Sequence, residues 1–267
     1  MAVIIDGKKI YIDKDGFISE DDIKNSYFCF MHTELLKYIK QLNAYIYELY
    51  DRLSELINID DEASLLILSL LIEMHKDYQS MVIIASRGLK AQGAVFARTI
   101  LEKLFILKAV CNDNVLVEDW EKTQNYKTNG LIIAINKKKK GLEEIYKNRG
   151  EIKQLENAKE RKIEWWASKA GMKEEYNREY QYFTNYVHFS HIELKDILCV
   201  DENGSPYLDI APSTDYDIPF LLTACSYVLR GVVEVMKYYE IELDDRLKAF
   251  KEIEKREWKK CAEVYAL

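Results

Sequence analysis

Apolar residues return at spacings of three and four along most of this chain, the period of a helix face. Between Asp21 and Ile57 the stripe is Leu35, Ile39, Leu42, Ile46, Leu49 and Leu53, widened by Tyr38, Tyr45, Tyr47 and Tyr50. A second helix is predicted from Asp61 to Ser86. Its run SLLILSLLIEMH is apolar on nearly every side, which suits a central position. AQGAVFARTILEKLFILKAV follows as a third helix and Val115 to Lys140 as a fourth, with Gly141 as its stop. Leu142 to Lys162 is charged and poor in large apolar residues, so an exposed helix or hairpin is expected there. Trp165 and Trp166 would dock this peripheral arm, residues 142–170, on the body. Further helices are expected from Lys173 to Glu193, Pro219 to Tyr239 and Asp244 to Val264.

Two stretches read differently. VIIDGKKIYI is a pair of β-prone runs around Asp6-Gly7, which predicts a small N-terminal hairpin within residues 1–18. ILCV and YLDI flank Asp201-Glu202-Asn203-Gly204, which suggests a second hairpin or an ordered loop near 197–210. The fold class that results is all-α: a multi-helix bundle with small β additions, a single domain over residues 1–267.

Composition sharpens this picture. The chain has 3 prolines and 10 glycines in 267 residues, too few for a turn-rich sandwich or barrel. The net charge of −7 excludes a global basic footprint for nucleic acid, though not a local basic groove. The 5 cysteines are scattered without a CxxC pair, which reads as reduced intracellular thiols. The opening residues lack the basic start and apolar run of a secretory signal, and the apolar stretches are broken by charge before they could span a bilayer. A cytoplasmic protein without a membrane partner is expected.

Candidate chemistry gathers on two helices. Arg98 and Glu102 stand at i and i+4 within VFARTILEKLFIL, on one face among apolar neighbours. A charge there must be neutralised by its neighbour or by a group across the core. In YFTNYVHFSH, Thr184, His188 and His191 fall at i, i+4 and i+7; Tyr180 precedes them by one turn and Asn185 shares an edge with His188. Glu102 opposite His188 would fix its tautomer and raise its pKa, and Arg98 would offer an anion-binding fork. That makes His188, Arg98 and Glu102 a candidate catalytic set, with Tyr180, Thr184, Asn185 and His191 as binding residues. The same residues could instead form a hydrogen-bonded network that fixes helix register. HxxH could place two imidazoles on one ion, but HExxH, a second His pair and a Cys set are all missing, so neither a metal nor a cofactor is predicted. Phosphate-loop and nucleophile-elbow motifs are absent too. The Lys137 to Lys140 run, with Lys122 and Lys127, could grip a phosphate backbone, but reads better as a solvated helix end.

The Arg-x-x-x-Glu of Arg98 and Glu102, followed by Tyr-x-x-x-Thr-x-x-x-His at Tyr180, Thr184 and His188 and then Ser190, resembles the bacterial DUF5677 family of helical proteins over about residues 60–240. The resemblance implies an all-helical bundle with these polar residues gathered inside, and no established activity. A more distant likeness is to the HEPN superfamily, helical proteins that include RNases of toxin and phage-defence systems. Their motif sets Arg four to six residues before His. Here Arg178 precedes His188 with residues 179–187 between, and Arg98 would have to serve from another helix. Two functions therefore stand side by side. One is an effector acting on RNA or a nucleotide through His188, Arg98 and Glu102. The other is a non-enzymatic binding or scaffold protein, a homodimer whose Arg-Glu-His network is structural and whose signature would be an exposed Tyr- and Leu-rich helix face, for example along Tyr38 to Leu53.

Overall fold

A computed structural model describes residues 2–5, 8–11, 33–85, 89–140, 155–187, 198–200, 206–208 and 217–265. The helices are α1 (Thr33–Ser54), α2 (Glu62–Ala85), α3 (Lys90–Asn112), α4 (Leu116–Lys140), α5 (Ile163–Lys169), α6 (Lys173–Glu175), a π-helical turn (Tyr176–Tyr180), α7 (Gln181–Val187), α8 (Asp217–Tyr238) and α9 (Asp245–Tyr265). The body is all-helical, as the periodicity requires. Among the described residues strand pairing is confined to β1 (Ala2–Ile5) with β2 (Lys8–Tyr11), and β3 (Leu198–Val200) with β4 (Pro206–Leu208), both antiparallel. The residues joining these strands, like much of 1–18 and 197–210, lie outside the described residues.

The centre is α3. Ala94, Ala97, Ile100, Leu101, Leu104, Phe105 and Leu107 are all fully buried, because α2, α8, α7 and α5 surround it. A helix that is apolar all round can only be stable in such a position. Each large side chain buried there contributes roughly 1.5–3 kcal/mol before chain entropy is set against it. α8 approaches α2 and α3 closely at Gly231, where an added Cβ would stand 2.9 Å from the Met74 terminal methyl.

The α1 stripe, expected to be exposed if it joined two copies, is spent inside the chain. Tyr38, Leu42, Tyr45, Ile46, Leu49 and Leu53 are buried, and Phe250 of α9 packs on the rings of Tyr38 and Tyr45. Only Tyr47 on this helix remains a large exposed apolar residue. The apolar side chains from Tyr38 to Leu53 are therefore buried within the chain.

α8 carries Arg230 and Glu234, yet Ile218–Tyr238 is long and apolar enough to cross a bilayer by length and composition; 72% of its apolar 18-residue window is buried within the protein. Of the peripheral arm, residues 142–154 lie outside the described residues. Residues 155–162 are neither helix nor hairpin; they lie along α4 as an irregular strap. Asn129 of α4 accepts from the Leu155 amide at 2.6 Å and donates to its carbonyl at 2.9 Å, and Thr123 accepts from the Arg161 amide at 3.2 Å. Thr123 and Asn129 are buried polar residues on a helix, which are stable only when bonded in this way. Arg161 then pairs with Asp119 at 2.7 Å and lies over the Trp165 ring, and Trp166 is buried beside α3.

Candidate functional site

The helix expected from Lys173 onward is interrupted by a π turn. An extra residue in the turn changes which side chains share a face. Tyr176 and Tyr180 stack on each other with centroids 5.0 Å apart, and both lie against Phe105 of α3. Glu175 and Glu179 face α8 instead, through bonds to Arg230 and Tyr227.

On the α3 side three polar side chains close a triangle. Arg98 donates from Nε to Glu102 Oε1 at 3.0 Å and from Nη2 to the Tyr180 hydroxyl at 2.8 Å. The Tyr180 hydroxyl in turn donates to Glu102 Oε1 at 2.9 Å. The guanidinium carbon sits 4.9 Å from the Tyr180 ring centre, a cation–π contact. Tyr180 is buried, whereas the side chains of Arg98 and Glu102 keep 20% and 30% of their exposure. Burial, and then the Glu102 charge, push the Tyr180 phenol up to about 12 against the opposing pull of Arg98.

The other sequence-predicted residues are placed differently. Thr184 lies one turn beyond Tyr180, but its hydroxyl donates to the Tyr180 carbonyl at 2.8 Å and is thereby turned back on its own helix. Asn185 is exposed on α7. His188 and His191 lie outside the described residues, which end at Val187 in this segment. Lys122 is paired with Glu118 at 3.1 Å, and the side chains of Lys137 to Lys140 fall outside the described residues. Among the described residues no cluster of three or more His, Cys, Asp or Glu is placed to hold a metal. Burial pushes the Cys111 and Cys225 thiols up to about 12, so neither is a ready nucleophile.

A second polar group, not foreseen from the sequence, lies on the α8 side. Arg230 donates to Glu175 at 2.9 Å and Arg178 to Glu179 at 2.8 Å, while the buried Tyr227 hydroxyl donates to Glu179 through a short bond. Ser226 makes a short bond to Glu254 of α9. All of these but Glu175 border a cavity of about 740 Å³ between the π turn, α7, α8 and α9. The signal was present in the chain. Arg230 interrupts the apolar run of α8 as Arg98 interrupts that of α3, and a charge in such a run needs a partner.

Fold and site together define an all-helical protein whose late, π-kinked helix is tied to its neighbours by one polar group on each side. The family model of DUF5677, a family of unknown function, matches residues 64–206, more than half of the chain, and the chain belongs to that family. The match holds Arg98, Glu102 and Tyr180 and stops before α8 and α9, short of the expected end near residue 240. No curated protein and no solved structure matches the chain.

Proposed function

We propose that the protein is a non-enzymatic helical binding protein in which Arg98, Glu102 and Tyr180 clamp two helices together. The closed triangle carries this reading. A general acid or base needs a proton or lone pair free for its substrate. The Tyr180 hydroxyl both gives and accepts within the triangle, and at about 12 it keeps its proton near neutrality. A phosphate clamp presents paired guanidinium donors outward, whereas Arg98 turns Nε and Nη2 toward Glu102 and Tyr180. The test is a double-mutant cycle with Arg98→Met and Tyr180→Phe, read by urea unfolding. A clamp gives a loss of about 1–2 kcal/mol for each variant and a coupling of about 1 kcal/mol. Additive variants with unchanged stability but abolished RNA or nucleotide turnover would overturn it.

One observation favours a second reading. Arg98 and Glu102 stay partly open to solvent, on the face that Tyr180 reaches from the segment leading to His188. In that reading the protein is a defence- or toxin-type effector on RNA or a nucleotide. His188 is the general acid/base, Arg98 and Glu102 assist it, and Thr184, Asn185 and His191 help hold the substrate. His188→Ala should then abolish toxicity or RNA cleavage and leave the melting temperature in place; activity that survives the substitution removes this reading.

A further inference from the structure

The cavity between α7, α8 and α9 has the volume and wall chemistry of a small-molecule site. Tyr182, Phe183, Phe220, Tyr227 and Trp258 supply ring faces, and Tyr182, Phe183 and Phe220 pack edge to face in its wall. The charges in the wall are unevenly satisfied. Arg178 is paired with Glu179, and Arg230 with Glu175. Glu254 is half-buried and bonded to the Ser226 hydroxyl, and it has no salt-bridge partner among the described residues.

The neighbouring depression, which shares Ser226, Arg230 and Glu254, is bordered by Lys237, Lys251 and Lys255. Lys237 is paired with Glu234 and Lys255 with Glu252, which leaves Lys251 as a cation acting on Glu254 from a distance. Burial still raises the Glu254 carboxyl above its usual range despite Lys251 and Arg230. Glu254 is therefore the wall carboxylate without a direct ion pair among the described residues: Ser226 and Trp258 offer it hydrogen bonds, and Arg230 and Lys251 act on it only from a distance. A carboxylate among Trp and Tyr faces is the arrangement that recognises an organic cation, through one charge-assisted hydrogen bond and cation–π attraction.

We propose that this cavity binds an aryl-alkyl ammonium compound, its ammonium on Glu254 and its ring among Phe220, Tyr227 and Trp258. The proposal rests on the binding-protein reading only in that the occupant leaves unchanged. Binding of phenethylammonium and tryptammonium to the full chain is measured by calorimetry, beside the neutral 2-phenylethanol and the anionic 3-phenylpropanoate. The ammonium probes should bind about tenfold or more tighter than the alcohol or the acid, a difference of about 1.4 kcal/mol. Glu254→Gln should remove that preference while its melting temperature shows a folded protein. Trp258→Leu should weaken every ring-bearing probe, and Lys251→Ala should leave ammonium binding equal or tighter.

If the alcohol or acid binds as well as the ammonium probes, if Glu254→Gln leaves their affinity unchanged, or if they do not bind at millimolar concentration, the proposal is overturned. The stability cycle at Arg98 and Tyr180 is independent of all three results. Binding followed by chemical conversion of the probe would keep the cavity assignment and end the non-enzymatic reading.

Discussion

Tyr38 is 1% exposed, and its hydroxyl has no hydrogen-bond partner among the described residues. An orphaned buried hydroxyl costs about 1–3 kcal/mol relative to its hydrated state. Tyr38→Phe keeps the ring against Phe250 and removes only that oxygen, so stability in urea should rise by about 1 kcal/mol; a fall would place a buried water on the hydroxyl. His75 is the opposite case, a buried polar residue with every ring nitrogen used. Its Nε2 meets Asn43 Oδ1 at 2.8 Å and its Nδ1 meets the Tyr50 hydroxyl at 3.1 Å. Burial holds it neutral, with its pKa lowered from 6.5 to about 4. The unfolded chain therefore binds the proton first as pH falls. The stability that neutral His75 contributes is complete above 6.5 and is lost on the way down to about 4. Unfolding curves at about pH 7.5 and about pH 5 should show a smaller drop for His75→Gln than for the parent chain, and equal drops would refute the assignment.

At the scale of elements, the strap along α4 hangs on few bonds. Asn129 and Thr123 hold residues 155–162 by side-chain bonds to backbone, and the Lys159 amide donates to the Lys122 carbonyl at 2.9 Å. Asn129→Ala removes two of these bonds together. Hydrogen exchange at Leu155 should accelerate by roughly tenfold or more, the equivalent of one net hydrogen bond, while exchange in α3 stays as before. Acceleration throughout the molecule would mean that the strap is part of the global core. The π turn sets a similar division of labour. Because it sends Tyr180 toward α3 and Glu179 toward α8, two adjacent residues serve two different polar groups. A regular count of fours along Tyr180, Thr184 and His188 gave a single stripe; the hydroxyl of Thr184, bonded to its own helix, does not join Tyr180 on α3.

At the scale of the whole molecule, α3 is the element that α2, α5, α7 and α8 cover, and Leu104 lies fully buried near Gly231 of α8. Leu104→Ala should cost about 2–5 kcal/mol and lower the unfolding midpoint for all helices together, since the cavity it leaves is bounded by several of them; an isolated loss of one helix signal would count against a shared core. Much of this plan was legible in the chain. The all-round apolar runs of α2 and α3 announced central helices, and the i, i+4 pair at Arg98 and Glu102 announced an ion pair, because both follow from a local period of 3.6 residues. The same local rules could not say that Tyr180 would complete that pair from 78 positions beyond Glu102. Nor could they show that the Tyr-rich face of α1 would be covered by α9, or that Glu254 would meet Ser226 across a ring-lined cavity. The sequence by itself determined which residues must be buried and which polar groups must find partners, since hydrophobic transfer and desolvation depend on the side chain alone. Only the tertiary structure decided who those partners are, because a hydrogen bond or a cavity wall is a relation between segments that the chain order leaves far apart.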